Sequence, residues 1–441
     1  MEACAVGAQS LALSWLGRDR QLFEAVMKLK PDNRGTVDQI VERALQLTSL
    51  AVEPIPICVT APRMPSLLQY AAMLERIWQT RWLTNQGEYH EALERDLAEY
   101  LRIPNVSLTA NGTLALLIAL RSAGVGGGSV VTTPFTFPAT IHCLEWLGAT
   151  PVFADVDAQT GNLDPRQVSD ALQEDTRAIL AVHVYGTPCD HRALSAIAEQ
   201  HGLKLVYDAA HAFGVEVDGK SILSWGDASA TSFHATKLFT TIEGGAVTVS
   251  SNDKKREIDL FRNFGIANEE TVVGSGINAK MNELEAAFGI LTLKEVEAEI
   301  AQRGKVADIY TFYLSNLQGV TVLTRGGSFR ANHAYYAIRI DASYTGISRD
   351  AVYAIMRRLN IFTRKYFHPI PPTCSPYTGL PSSSRENLKA AFTLDEQVLC
   401  LPIYGSLVLE TAERIAQKLR AVVQVGSKLT TPVFTRETRW S

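Results

Sequence analysis

From about residue 95 to residue 250 the chain keeps one rhythm: a short β-rich run, then a stretch with helical spacing that stops at a glycine. The runs are SVVTTP, TPVFADV, RAILAVHVYG, LKLVYDAA, ASATSFHA and GAVTVS, and the helical stretches include TLALLIALRSAG, FPATIHCLEWLG and HRALSAIAEQHG. Such alternation predicts an α/β domain, with a mostly parallel sheet covered by helices on both faces. Ligands of such sheets gather beyond the carboxyl ends of the strands, so the residues that follow each run carry most of the functional weight.

The flanks read differently. Residues 1–58 are expected to be a helical N-terminal extension and linker: DNRGTVDQIVERALQLTSL has helical spacing behind an Asp/Asn start signal, and AVEPIPICVTAPRMP is rich in proline. Residues 59–305 then form the large domain. MNELEAAFGILTLKEVEAEIAQRG reads as one long helical connector into a smaller α+β domain, residues 306–441, with a strand in HAYYAIRI, a helix in SRDAVYAIMRRLN, a strand near IFTRKY and a final helix in LETAERIAQKLRAVVQV. A total of 441 residues suits two packed domains.

Composition excludes some partners. A net charge of −4 argues against general nucleic-acid affinity, which needs a basic stripe. No apolar run reaches the roughly 18 residues that cross a bilayer. Cys4, Cys58, Cys143, Cys189, Cys374 and Cys400 show no CxxC pair or metal spacing, so they read as reduced thiols and no metal is expected. The start carries Glu2 and lacks a basic n-region, which favours a cytoplasmic location over secretion.

Four stretches carry candidate chemistry. LTANGTLALLIAL sets Asn111, Gly112 and Thr113 at a helix start, where free N–H groups and the helix dipole favour an anion; an ordinary cap is the alternative. LVYDAAHAFG ends an apolar strand on Asp208, with His211 close behind. A carboxylate there is costly unless paired, which suits a cationic ligand nitrogen; capping the next turn is the alternative. SFHATK brings Ser232, His234, Thr236 and Lys237 to the end of a later strand; an amine in apolar surroundings has a lowered pKa and can attack a carbonyl, whereas a lone lysine is more often a surface group. TTPFTFPAT offers Phe135 for the core and Phe137 as a plate for a flat heteroaromatic ring. GVGGGSVV, though rich in glycine, lacks the Walker lysine and has Ser129 where a dinucleotide fingerprint needs glycine, so it reads as a turn.

An anion cradle, an aromatic plate, a carboxylate, a hydroxyl and a lysine are together what pyridoxal phosphate requires. The chain also resembles the DegT-type nucleotide-sugar aminotransferases over roughly residues 60–425. The resemblance runs through TNQGEYHEALERDLAEYL, NGTLAL, TTPFTFPAT, HVYGTPCD, YDAAHAFG, SFHATKLFTTIEGG and GINAKMNELEAAFG. It implies the type I fold of pyridoxal phosphate enzymes, with a seven-stranded, mostly parallel sheet and a smaller C-terminal α+β domain.

Carried over position by position, the resemblance makes Lys237 the Schiff-base lysine and Asp208 the partner of the pyridinium nitrogen. Gly112, Thr113 and Ser232 would hold the phosphate, Phe137 would stack on the ring and His211 would lie close to it. Asn278 would reach the cofactor of a second subunit, which implies a homodimer with shared sites. Lys280 stands where many relatives have arginine, which leaves a point charge in place of a bidentate fork.

Sugar 3-dehydratases of this fold have histidine at the lysine position, so Lys237 favours transamination, with glutamate as the expected amino donor. WLTNQG, HVYGTPCD, GINAKM and TRKYFHP resemble members that aminate C4 of a dTDP- or GDP-linked 4-keto-6-deoxyhexose, for surface polysaccharide or natural-product sugars. Amination at C3 or of a cyclitol ketone is the alternative, and a non-catalytic nucleotide-binding or regulatory protein a more distant one. Tyr335, Tyr336, Tyr366 and His368 are candidates for the sugar side.

Overall fold

The computed structural model describes residues 34–323 and 328–430. The first residues, with Glu2 and Cys4, lie outside that range. Seven strands form the main sheet: β1 (Asn105–Thr109), β2 (Ser129–Thr132), β3 (Thr150–Phe153), β4 (Thr176–Val182), β5 (Lys204–Asp208), β6 (Ala228–Ser232) and β7 (Gly245–Val249). They lie in the order β1-β7-β6-β5-β4-β2-β3, parallel except for β7, which runs antiparallel to β1 and β6.

Strand alternation divides the buried residues between two faces. Ala178, Leu180, Val206 and Ala230 pack with Ala115, Leu120, Cys143 and Leu144. Ile179, Ala181, Leu205 and Tyr207 pack on the opposite side with Leu194 and Ala198. The runs are apolar throughout because both faces are covered.

Helix α1 (Arg34–Thr48) and α2 (Glu88–Leu101) precede the sheet. Along it, α3 (Gly112–Ser122) and α4 (Pro138–Trp146) cover one face and α5 (His191–His201) the other. Asn111 starts α3 by accepting the Leu114 N–H at 2.9 Å. Pro138 starts α4, its fixed φ suiting the first helical position. Asp190 caps α5, and Gly202 ends it at φ 63°.

The expected single connector is two helices, α6 (Glu283–Leu293) and α7 (Val296–Leu314). Near the break, the Thr292 hydroxyl reaches the carbonyls of Phe288 and Gly289 and, at 2.7 Å, that of Thr240 outside the helix. Such side-chain bonds compete with the helical ladder. The expected boundary at 305 falls inside α7: Val296 and Ile300 join the core around Phe213 and Phe233, while Val306, Ala307, Tyr310 and Leu314 join the C-terminal core.

That C-terminal core surrounds a three-stranded antiparallel sheet of β8 (Val320–Val322), β9 (Tyr336–Ile340) and β10 (Val398–Leu401), with α8 (Arg349–Arg358) and α9 (Leu409–Thr430). The N-terminal segment belongs to it. Val41 and Ala44 of α1 are buried among its residues, and Ile57–Cys58 pairs in parallel with Ile361–Phe362, the short strand found in IFTRKY. Glu53, 4 % exposed, bonds Arg414 at 3.1 Å and also Lys418. The linker is therefore laid against the C-terminal region and locked by a buried ion pair. Cys58, Cys143, Cys189, Cys374 and Cys400 are free thiols. Among the described residues, no helix is long and apolar enough to cross a membrane, and no cluster of His, Cys, Asp or Glu suits a metal ion.

Candidate active site

Strands β1, β2, β4, β5 and β6 all end at the same edge of the sheet. There, a cavity of about 770 Å³ is lined by Gly112, Thr113, Phe137, Asp208, His211, Ser232 and Lys237. Seven of the eight predicted site residues thus meet at one place, although the first and last are 125 positions apart in sequence (237 − 112).

The stretch expected to cradle an anion is built by close packing. A Cβ on Gly112 would stand 2.6 Å from the Ser232 Cβ, and one on Gly245 would stand 2.8 Å from the Gly112 nitrogen. Glycine at both positions lets the first turn of α3 lie directly against β6 and β7. The Asn111 side chain takes the Leu114 N–H and the Asn111 carbonyl takes the Ala115 N–H. Gly112 and Thr113, as the first two helical residues, have no intrahelical acceptor for their own N–H groups, and both line the cavity beside Ser232.

Asp208 is the last residue of β5. Thr140 donates to its Oδ2 at 2.7 Å and the Ala210 N–H to its Oδ1 at 3.1 Å. Burial raises its pKa, and both donors and the Lys237 charge offset only part of that rise. Lys237 follows the turn after β6, held by its own N–H to the His234 carbonyl at 2.8 Å. Burial lowers its amine to about 8, with Asp208 opposing part of the fall. Its Nζ stands 6.0 Å from the centre of the Tyr335 ring.

His211 is 7 % exposed and held well below the ordinary histidine range, first by burial and then by the Lys237 charge. Its Nδ1 accepts the Tyr185 N–H at 3.3 Å, so the neutral ring carries its proton on Nε2. The ring lies parallel to Phe367 at 5.7 Å. Phe137 stands at the N-cap position of α4, is 58 % exposed and lines the cavity, whereas Phe135 is fully buried, as expected.

Asn278 is not among the residues that line this cavity. It is exposed, bridged to Asn263, in a segment that also exposes Phe264 and Ile277. Lys280 donates to Asn263 Oδ1 at 2.8 Å and sits over the Phe264 ring at 4.7 Å. Of the sugar-side candidates, Tyr335 and Tyr366 line the cavity. Tyr336 does not serve there, because it is buried in the C-terminal core with its hydroxyl 3.0 Å from that of Thr311. His368 is tied through Nδ1 to Asp395 at 2.8 Å.

Other lining residues carried no sequence signal of their own. Thr140 lies within TTPFTFPAT, four residues after Thr136, which precedes the Phe137 cap. His142 and Trp146 follow on the same helix. Phe367 comes from the C-terminal region and is brought in only by tertiary packing.

The profile of the DegT/DnrJ/EryC1/StrS aminotransferases matches residues 69–420, most of the chain. The chain belongs to this family. This aminotransferase is 40 % identical over 367 residues to a dTDP-4-amino-4,6-dideoxy-D-glucose transaminase of Shigella dysenteriae, covering 83 % of this chain and 99 % of that one. A GDP-perosamine synthase of Caulobacter vibrioides is 31 % identical over 351 residues, 78 % of this chain and 92 % of that one. The crystal structure of DesI, solved in the presence of its TDP-sugar product, superposes with a TM-score of 0.82 at 36 % identity, covering 86 % of this chain and 96 % of DesI. The expected type I fold is the one observed.

The family uses pyridoxal phosphate. The cavity fits that group: the cradle that a Cβ at 112 would fill suits a phosphate, the carboxylate of Asp208 suits a protonated ring nitrogen, and the amine of Lys237 suits an aldehyde.

Proposed function

We propose that this aminotransferase transfers an amino group from glutamate to C4 of a dTDP-linked 4-keto-6-deoxyhexose. The observation that carries the reading is a buried amine and a buried carboxylate on one cavity, with a helix start open to an anion at its edge. The names of two relatives, a dTDP-4-amino-4,6-dideoxy-D-glucose transaminase at 40 % identity and DesI with its TDP-sugar product at 36 %, support the position and the dTDP nucleotide, whereas the synthase at 31 % is named for a GDP sugar.

Lys237 and Asp208 are the catalytic residues in this reading. Gly112, Thr113 and Ser232 hold the phosphate of pyridoxal phosphate, Phe137 covers one face of the ring and His211 lies beside it. Asn278 of a second subunit completes the site, so the working form is a homodimer. Residues 59–305 act as the cofactor-binding domain, and the C-terminal domain lends Tyr335, Tyr366 and Phe367 to the cavity. The protein works in the cytoplasm.

When bound, pyridoxal phosphate supplies an electron sink for the carbanion formed at the donor's Cα. Thr140 and Ala210 donate to Asp208 and offset part of the rise that burial gives its carboxyl, and its carboxylate would hold the proton on the ring nitrogen. Lys237 Nζ, neutral in a sizeable fraction near pH 8, takes the proton from the glutamate Cα in one half-reaction. In the other half it delivers a proton to C4 of the sugar. The Phe137 and Tyr335 rings flank the cavity and limit water around the amine.

The test is turnover of keto sugars with glutamate in the presence of pyridoxal phosphate, followed by NMR of the product. Amination at C4 of a dTDP-4-keto-6-deoxyhexose is expected. Turnover confined to 3-keto sugars or cyclitol ketones overturns the position. A protein that binds no pyridoxal phosphate overturns the enzymatic reading in favour of a regulatory one.

A further inference from the structure

We propose that Thr136 and Thr140 form a two-hydroxyl donor chain that orients Asp208 and keeps it an ionised partner for the ring nitrogen of the cofactor. This rests on the reading of Asp208 given above and assigns the threonines as positioning residues.

The direction of the chain follows from its acceptor. An ionised carboxylate only accepts, so the Thr140 hydroxyl must donate to Asp208 Oδ2 across their 2.7 Å. Having spent its proton there, Thr140 Oγ1 can only accept from Thr136, whose Oγ1 is also 2.7 Å away. Both threonines are 1 % exposed, so bulk water does not substitute for either donor. Aligned donors polarise one another, which makes the second hydroxyl strengthen the first.

Asp208 needs this support. Burial is the largest influence on its carboxyl and favours the neutral acid; the Thr140 hydroxyl is the first of the groups that oppose it, followed by the Ala210 N–H and the Lys237 charge. The other titratable group facing it is the buried Cys143 thiol, itself pushed up to about 12 by burial and by Asp208. With Oδ2 held by Thr140 and Oδ1 by Ala210, the carboxylate has one free lone pair on each oxygen and little freedom to rotate. Local geometry makes the arrangement possible: Thr136 precedes the Phe137 cap and Thr140 lies on the first turn of α4, and the chain's entry into the helix brings the two hydroxyls to 2.7 Å.

Thr140→Val removes the donor while keeping the shape of the side chain, Thr140→Ser restores it, and Thr136→Val cuts the relay without touching Asp208. Each is loaded with pyridoxal phosphate labelled with 15N in the ring. The wild type is expected to show the protonated ring-nitrogen shift. In Thr140→Val the signal moves toward the unprotonated value, the glutamate half-reaction slows roughly tenfold to a hundredfold, as expected for one lost hydrogen bond to a charged group, and Thr140→Ser recovers both. Thr136→Val shifts both in the same direction by less, and remains informative if Thr140→Val fails to fold. Wild-type ring-nitrogen shifts and pH profiles in Thr140→Val, or in Thr136→Val where that is the only folded variant, overturn the inference while leaving the proposed activity intact. A wild type whose ring nitrogen is unprotonated overturns the role of Asp208 itself.

Discussion

Gly112→Ala puts the packing of the anion cradle to a quantitative test. The new Cβ would meet the Ser232 Cβ at 2.6 Å, the Ser232 Oγ at 3.0 Å and the Ser232 Cα at 3.1 Å. Non-bonded carbons sit best at about 3.5–4.0 Å, so one side must retreat by about 1 Å. Ser232 ends β6, which pairs with β7 from Ser229 to Ser232, is tied on just beyond by the Phe233 N–H to the Gly244 carbonyl at 2.8 Å, and pairs with β5 along its start. The helix start is the side that yields.

Overpacking of this kind costs about 1–3 kcal/mol, and replacing glycine by alanine in a helix returns up to about 1 kcal/mol. The apo protein should therefore lose only about 0–2 kcal/mol of stability. The cofactor should suffer more, because a shift of about 1 Å would weaken the charge-assisted bonds proposed from Gly112, Thr113 and Ser232, each worth about 1.5–3 kcal/mol. Affinity for pyridoxal phosphate is expected to fall by about tenfold to a hundredfold. Urea melts of the apo protein and absorbance titration with the cofactor measure the two effects separately. Affinity within about twofold of wild type, a change too small for any lost bond, would refute the idea that this close approach shapes the phosphate site.

Three further outcomes are expected. Lys237 has a pKa near 8 in the folded chain against 10.5 when unperturbed, so between those values the unfolded chain binds more protons and apo stability should rise with pH, by about 3 kcal/mol in all. Lys237→Met should abolish that rise, and identical pH slopes for the two proteins in denaturant melts would count against a desolvated amine. Mixing Lys237→Ala subunits with Asn278→Ala subunits should restore up to about a quarter of wild-type sites, since random pairing makes half the dimers hybrid with one intact site each; no gain over the parents would argue against sharing. Glu53→Ala strands the buried Lys418 ammonium and should cost about 3 kcal/mol in urea melts with no change in cofactor affinity; an unchanged midpoint would mean that the ion pair does not pin the N-terminal segment.

Much of the large domain was legible because each of its signals is local. RAILAVHVYG, LKLVYDAA and ASATSFHA announce strands through uninterrupted apolar runs, and the residues after them, Asp208 and Lys237 among them, were marked by being chemically out of place at the end of such runs. The N-terminal segment was less legible. Its helical spacing predicted α1, but nothing local in AVEPIPICVT says that Ile57 will pair with Ile361 or that Glu53 will find Lys418. The break between α6 and α7 was hidden for a similar reason: the hydroxyl that leaves the helical ladder at Thr292 is drawn to Thr240, 52 positions away.

The same division holds at the site. Residue types, their order and their places beyond strand ends follow from the sequence alone, because strand period, helix capping and the cost of burying charge are properties of short segments. Tertiary packing decided which of those residues meet. It set Gly112 against Ser232, kept Asn278 outside the cavity of its own chain, sent Tyr336 into the C-terminal core, and brought Thr140 and Phe367 to Asp208 and His211. Burial also set the charge state of Lys237, since a lowered amine pKa depends on how much water the surrounding elements exclude, and no local pattern encodes that.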